Sequence, residues 1–157
     1  MNQIVFKEKD WKELEYYLTE RNDVESGIYA MFKTSLSNNS KRFLVTQIII
    51  PDDNDYYKRS SVSVAFKPEF TEKAFQQCEI TNGHLLDIHT HPWSSQVNFS
   101  STDDHEAAQT KIPYMNKYLP KTLIAFIVFG KSPVIAEARF WDKASNKLSY
   151  INRIVVI

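Results

Sequence analysis

The run Leu123-Ile124-Ala125-Phe126-Ile127-Val128-Phe129 contains no polar residue. Successive side chains of a strand point to opposite faces, so an unbroken apolar run is stable only where both faces are covered. It is too short to cross a bilayer, which takes about 20 apolar residues. The rest of the chain must therefore supply a sheet for this strand and helices to cover it. With 157 residues and 43% apolar content there is enough material for one such core. Residues 1–157 are expected to form a single domain of mixed α/β (α+β) class, a curved mixed sheet with helices packed against it.

Periodicity places the other elements. Ile4 to Phe6 reads as a short strand. Asp10 can cap a helix reaching about Glu20, with Trp11, Leu14 and Leu18 at helical spacing. Glu25 to Phe32 and Phe43 to Ile50 read as strands joined by the polar turn Ser35 to Lys41, a hairpin. After the polar stretch Asp52 to Ser60, the alternation from Ser61 to Phe66 predicts another half-buried strand. Thr71, Ala74, Phe75 and Cys78 recur at i, i+3, i+4 and i+7, predicting a helix from about Glu69 to Glu79 that Asn82-Gly83 ends. Val134 to Trp141 and Leu148 to Val156 complete the strands, with turns at 131–133 and 144–146.

Charge and cysteine usage narrow the class. Nineteen basic and nineteen acidic residues cancel, which argues against charge-driven binding to nucleic acid or a membrane surface. The single cysteine, Cys78, cannot form an internal disulfide and lies on the apolar face of its helix, so a core position and a reducing cytoplasm are expected. The amino-terminal stretch MNQIVFKEKDW lacks the apolar centre of a signal peptide.

The chemistry concentrates in Leu85 to Asp104, LLDIHTHPWSSQVNFSSTDD. In a strand, His89 and His91 project from the same face, which makes them a pair of metal ligands in want of a third. Catalytic zinc sites commonly use three protein ligands drawn from His, Asp, Glu or Cys, with water in the fourth position. Asp103 is the best candidate. Pro92 stops the strand, a polar loop turns the chain, and Ser100-Ser101-Thr102-Asp103 reads as a capped helix start. A carboxylate in that first turn can close the site. The helix should then run to Pro113, which ends or kinks it.

At these residues the chain resembles the JAMM or MPN (JAB) domain metalloproteases, whose pattern is an upstream Glu, then H-x-H-P, then S-x-x-D. The matching positions are Glu25, His89-Thr90-His91-Pro92, Ser100 and Asp103; Glu25-Ser26-Gly27 resembles the start of that family's glutamate strand. Eight residues separate His91 from Ser100, where the family usually has seven. Ser101 with Asp104 also satisfies S-x-x-D with a still longer loop, but Ser100 places Phe99 at the apolar position before the serine. Glu20 is the second candidate for the glutamate.

The resemblance implies one Zn2+ per chain on His89, His91 and Asp103, with Glu25 as general base and Ser100 as oxyanion donor. It implies cleavage of an isopeptide or peptide bond after the C-terminal glycine of a ubiquitin-like protein. Short stand-alone members of the family are bacterial, accompany E1-like and E2-like proteins and include antiviral systems, so a cytoplasmic deubiquitinase-like protease is expected. A processing peptidase for a sulfur-carrier precursor would use the same residues. A metal-free MPN-like scaffold is the non-enzyme alternative.

The remaining polar residues are read more plainly. Asp87 shares the face of His89 and fits either an imidazole acceptor or a structural role. His84 faces away as a strand-entry residue, His105 points elsewhere on its helix, and Trp93 either lines a substrate groove or packs. Asp87-Ile88-His89-Thr90-His91 also fits the D-x-H-x-H of amidohydrolase barrels, but such barrels need roughly 200 residues or more and carry the motif on their first strand.

Overall fold

A computed structural model describes all 157 residues. The strands are β1 (Gln3–Phe6), β2 (Gly27–Ser37), β3 (Ser40–Ile49), β4 (Tyr56–Arg59), β5 (Val64–Phe66), β6 (His84–Thr90), β7 (Ile124–Phe129), β8 (Ala136–Asp142), β9 (Lys147–Ile151) and β10 (Arg153–Val156). The helices are α1 (Glu8–Glu20), α2 (Pro68–Thr81), α3 (Ser101–Glu106) and α4 (Ile112–Tyr118), the last two joined by a π-helical turn over Ala107–Lys111. Eight strands form one mixed sheet in the order β10-β1-β3-β2-β6-β7-β8-β9, and β4 pairs only with β5. No helix is long and apolar enough to cross a membrane.

The apolar run is β7, buried at every position between parallel β6 and antiparallel β8. Its alternate residues enter two separate cores. Ala125, Ile127 and Phe129 face Leu14 and Leu18 of α1, together with Ile28 and Ile88. Ile124 and Phe126 face Phe70, Ala74 and Cys78 of α2, together with Ile112 and Met115. The α2 face also receives Leu85 and Tyr29, and Asp87 and His89 follow Leu85 on it by the two-residue period of β6.

The sheet is curled until its edges meet. Phe43 of β3 and Phe140 of β8 lie four strands apart, roughly 19 Å across a flat sheet, yet their ring centroids stand 5.0 Å apart. A register shift at Met31/Phe32 between β2 and β3 marks a bulge, which adds twist. The stretch expected as one strand over Leu148 to Val156 is interrupted at Asn152 and changes partner there. Its first part pairs with β8 as β9, and after Asn152 it pairs with β1 as β10. Asn152 holds the seam, its N–H donating to the Asn2 carbonyl at 2.9 Å while the Asn2 N–H donates to its Oδ1 at 3.0 Å.

Other elements depart from expectation for local reasons. Asp10 lies in the first turn of α1 rather than at its cap, which is Lys7. The hairpin arms run through the polar segment read as a turn, because Asn38 and Asn39 alone make the reversal, both at positive φ (50° and 64°) as a two-residue turn of this kind requires. The polar stretch after Asp52 holds β4, and Ser61 to Ser63 stay outside β5. Pro113 neither ends nor breaks its helix. The π turn before it carries an i→i−5 bond from the Ile112 N–H to the Ala107 carbonyl, and Pro113 falls in the first turn of α4, where a missing N–H costs nothing.

Candidate metal centre

The two histidines are delivered by the end of β6. His89 pairs with Gly27 of β2 on one side and Val128 of β7 on the other, so its backbone is fixed in the middle of the sheet. Just beyond the strand end, the His91 N–H donates to the Phe129 carbonyl at 2.7 Å. The rings lie edge to face with centroids 5.1 Å apart. Trp93 stacks on His91 at 6.2 Å and 16°, while its other side stays open to solvent.

Asp103 reaches the pair through a reciprocal cap at the start of α3. The Asp103 N–H donates to Ser100 Oγ at 3.0 Å, and the Ser100 N–H donates to Asp103 Oδ2 at 2.7 Å. This sets Oδ1 beside His89 and Oδ2 toward His91, and leaves the Ser100 hydroxyl proton free to donate. Asp104, the alternative in sequence, points away and pairs with Arg139 of β8 at 2.6 Å. Arg139 also lies over the Phe99 ring at 3.7 Å, and the Phe99 N–H donates to Glu137 at 3.0 Å. Of the two S-x-x-D registers, Ser100/Asp103 is the one at the histidines.

Asp103 and the two imidazoles stand close enough to share one ion. Two donors each about 2.0–2.1 Å from one zinc stand roughly 3.3–3.4 Å apart. Asp103 meets the two rings through different oxygens, Oδ1 lying 3.1 Å from His89 Nε2 and Oδ2 3.5 Å from His91 Nε2. His89 Nε2 is buried with no hydrogen-bond partner. Asp103 Oδ1, though 3.1 Å away, makes no hydrogen bond with it. Glu25 stands further off, 4.0 Å from His91 Nε2. Its carboxylate and the two imidazoles lie within 4.8 Å of one another and could themselves hold a metal.

Glu25 lies ahead of β2 rather than in it, and the small β4–β5 sheet fixes it there. Its N–H donates to the Ser60 carbonyl at 2.8 Å, and Arg59 donates to the Glu25 carbonyl at 3.1 Å and to Ser26 Oγ at 2.6 Å. From β6, the Thr90 hydroxyl accepts the Ser26 N–H at 2.9 Å. Gly27 then packs against Phe66, whose Cζ would lie 2.7 Å from an added Cβ. Burial is the main force on the Glu25 carboxyl and lifts it from 4.5 to about 7; His89 opposes the shift, while Asp103 and Glu106 add to it. Burial alone would raise Asp103 as well, but His89, the Ser100 N–H and His91 outweigh it and hold that carboxyl below its usual range. Burial, then His89, lowers the His91 pKa and so favours the neutral ring that binds metals.

No protein-family model matches the chain, and a comparison with curated proteins finds no match.

A cleft of about 690 Å³ opens from this cluster and runs between α2 and α4 along the sheet. Glu25, His89, His91, Ser100 and Asp103 all line it, with Trp93 at the same end. Asp87 lies in it too, bound to Lys111 at 2.5 Å and not to an imidazole, so of its two expected roles it takes the structural one. His84 accepts the Leu123 N–H at 2.9 Å, consistent with a strand-entry residue, and His105 is exposed elsewhere on α3. Cys78 is buried, its thiol against Met31 Sδ at 3.1 Å, and burial pushes its pKa up to about 12. Glu20 is exposed at the end of α1 and takes no part.

Sequence reasoning missed Arg59, Arg139 and Lys111, whose partners are distant in sequence and which no motif marks. It also missed Gly130. A Cβ there would stand 2.6 Å from the Ser94 carbonyl, the group that accepts the Lys131 N–H and holds the loop after His91. Gly130→Ala should therefore destabilise the fold by about 1–3 kcal/mol and perturb Trp93, read by urea denaturation and tryptophan fluorescence.

Proposed function

We propose that this chain is a zinc-dependent amide hydrolase of the JAMM/MPN type. The observation that carries the proposal is the convergence of the Asp103 carboxylate to within 3.5 Å of both His89 and His91, beside a buried His89 nitrogen that has no hydrogen-bond partner. A zinc ion held by these three residues would supply Lewis acidity, allowing water to act as a nucleophile near neutral pH. Glu25, buried beside them with a carboxyl poised near neutrality, takes the proton from that water and returns it to the leaving amine nitrogen. The Ser100 hydroxyl, whose oxygen is occupied by the Asp103 N–H, turns its proton toward the oxyanion that forms on the attacked carbonyl.

The substrate rests on the H-x-H-P and S-x-x-D resemblance. It is an isopeptide or peptide bond after the C-terminal glycine of a ubiquitin-like protein, in a bacterial cytoplasm and in the company of E1-like and E2-like proteins. An extended tail of that kind could be held by strand addition.

The test is zinc content by mass spectrometry of purified wild-type, Asp103→Ala and Asp104→Ala proteins. One zinc per chain in the wild type and Asp104→Ala, lost in Asp103→Ala, is expected. A wild type that takes up no zinc from solution would sink the hydrolase and leave a metal-free scaffold.

A further inference from the structure

Ser100 and Asp103 lie in a stretch that has no core of its own. From Trp93 to Glu106 no residue is buried, and α3 contributes nothing to either core. The reciprocal cap fixes Asp103 against Ser100, but it does not fix the capped turn against the histidines. That second placement has to come from side chains of the sheet.

Strand β8 supplies them. Glu137 pairs with Val128, and Val128 pairs with His89, so Glu137 stands two strands from His89 on the same face, roughly 10 Å away. Glu137 Oε2 accepts the Phe99 N–H at 3.0 Å, immediately before Ser100. Arg139 is the next residue of β8 on that face. It lays its guanidinium over the Phe99 ring at 3.7 Å and donates from Nη1 to Asp104 Oδ1 at 2.6 Å. The turn is thus held at Phe99 and at Asp104, and Ser100 and Asp103 lie between the two holds. The Arg139 side chain is 11% exposed, and its Nε is buried without an acceptor, a desolvation cost that the two contacts have to outweigh. From this anchorage on β8 the turn reaches back to β6, where Asp103 meets both imidazoles.

Resting on the hydrolase reading above, we infer that Arg139 is a positioning residue of the metal centre. Through Phe99 and Asp104 it sets where the Ser100–Asp103 turn stands relative to His89 and His91, so that the carboxylate arrives as third ligand. Glu137 shares the task through the Phe99 N–H. The ion pair is the lesser part of the hold, because Asp104 is 57% exposed and an exposed pair is worth little. Asp104→Ala therefore keeps both contacts on Phe99 and is expected to keep its zinc. Arg139→Met loses the charged plane over Phe99 and the pair with Asp104 together.

Amide hydrogen exchange, followed by NMR in the metal-free full chain, tests the placement of the turn. In Arg139→Met the Ser100 and Asp103 N–H groups, which the cap holds in the wild type, are expected to exchange about tenfold faster or more, with the amides of β2 and β6 unchanged. Cobalt(II), whose visible absorption reports its ligand geometry, is then titrated into each protein. Its affinity should fall by about tenfold or more in Arg139→Met, with a changed absorption band. Arg139→Lys keeps a charge for Asp104 but no plane to lie on Phe99, and should recover part of the loss. Glu137→Gln keeps an acceptor for the Phe99 N–H and should match the wild type. Phe99→Leu removes the stacking surface without altering β8 and should show both effects, which keeps the test intact if Arg139→Met does not fold. Exchange that is unchanged at Ser100 and Asp103, or faster to the same degree throughout the sheet, overturns the inference, as does local loosening with wild-type cobalt affinity. If the wild type binds neither cobalt nor zinc, the hydrolase reading falls, and exchange at Ser100 and Asp103 alone decides whether Arg139 places the turn.

Discussion

Glu25→Gln is expected to keep one zinc per chain and to lose hydrolysis by roughly 10²–10⁴-fold. The carboxylate stands 4.0 Å from His91 Nε2, beyond the separation at which Asp103 approaches the same ring. Its removal should therefore take away the proton carrier and leave the ligand set intact. If zinc is lost together with activity, Glu25 is a ligand and Asp103 only a cap. The same substitution has an opposite effect on the metal-free fold. Glu25 ionises at about 7 in the folded chain, against an ordinary value of 4.5. Between these values the unfolded chain gives up the proton and the folded chain keeps it, so stability falls as pH rises and the loss is complete above about 7. Relative to wild type, metal-free Glu25→Gln should gain nothing below the ordinary value and about 3 kcal/mol above neutrality. Urea denaturation at pH 4 and pH 8 checks the sign. A gain of equal size at both pH values would remove ionisation as its cause.

Phe43→Ala should cost about 3–5 kcal/mol, much of what holds a domain of this size together. The ring is fully buried and touches Phe32 at 5.3 Å and Phe140 at 5.0 Å, so it ties the β3 side of the curled sheet to the β8 side. Truncation leaves a cavity between two parts of a sheet that are not neighbours in it, where little can collapse to fill the space. Leu44, the next residue, is on the other face and 36% exposed. Leu44→Ala should change stability by about 0.5 kcal/mol or less. Chemical denaturation of both variants compares them directly, and similar midpoints would deny the ring its bridging role.

What could be read from the residues was what local pattern controls. The run Leu123 to Phe129 announced a strand covered on both faces, and the period of two put Asp87 and His89 on one face. The S-x-x-D cap told where Asp103 would sit, because a capping side chain has little freedom. What could not be read was set by distant partners. Tyr56 to Arg59 has no apolar alternation, and only its pairing with β5 and the grip of Arg59 on Glu25 and Ser26 make it a strand with a purpose. Lys111 reads as a solvated helix lysine, and its place over β6 depends on a π turn that helical periodicity does not show. In Leu148 to Val156 strand residues stand on both sides of Asn152, and no local feature tells that they serve two strands.

That shared stretch governs when the molecule can close. Asn2 and Asn152 meet across a sequence separation of 150 residues, and joining chain ends so far apart costs about 4 kcal/mol in loop entropy before any contact repays it. The pairing of β10 with β1 therefore belongs late in folding, after the β2–β3 hairpin and the β6–β7–β8 block exist to bring the edges together. Contacts made after the barrier do not set how fast the chain folds; they set how slowly it opens. The seam at Asn152 is the latch on the folded lifetime, and it lies on a different part of the sheet from the histidines.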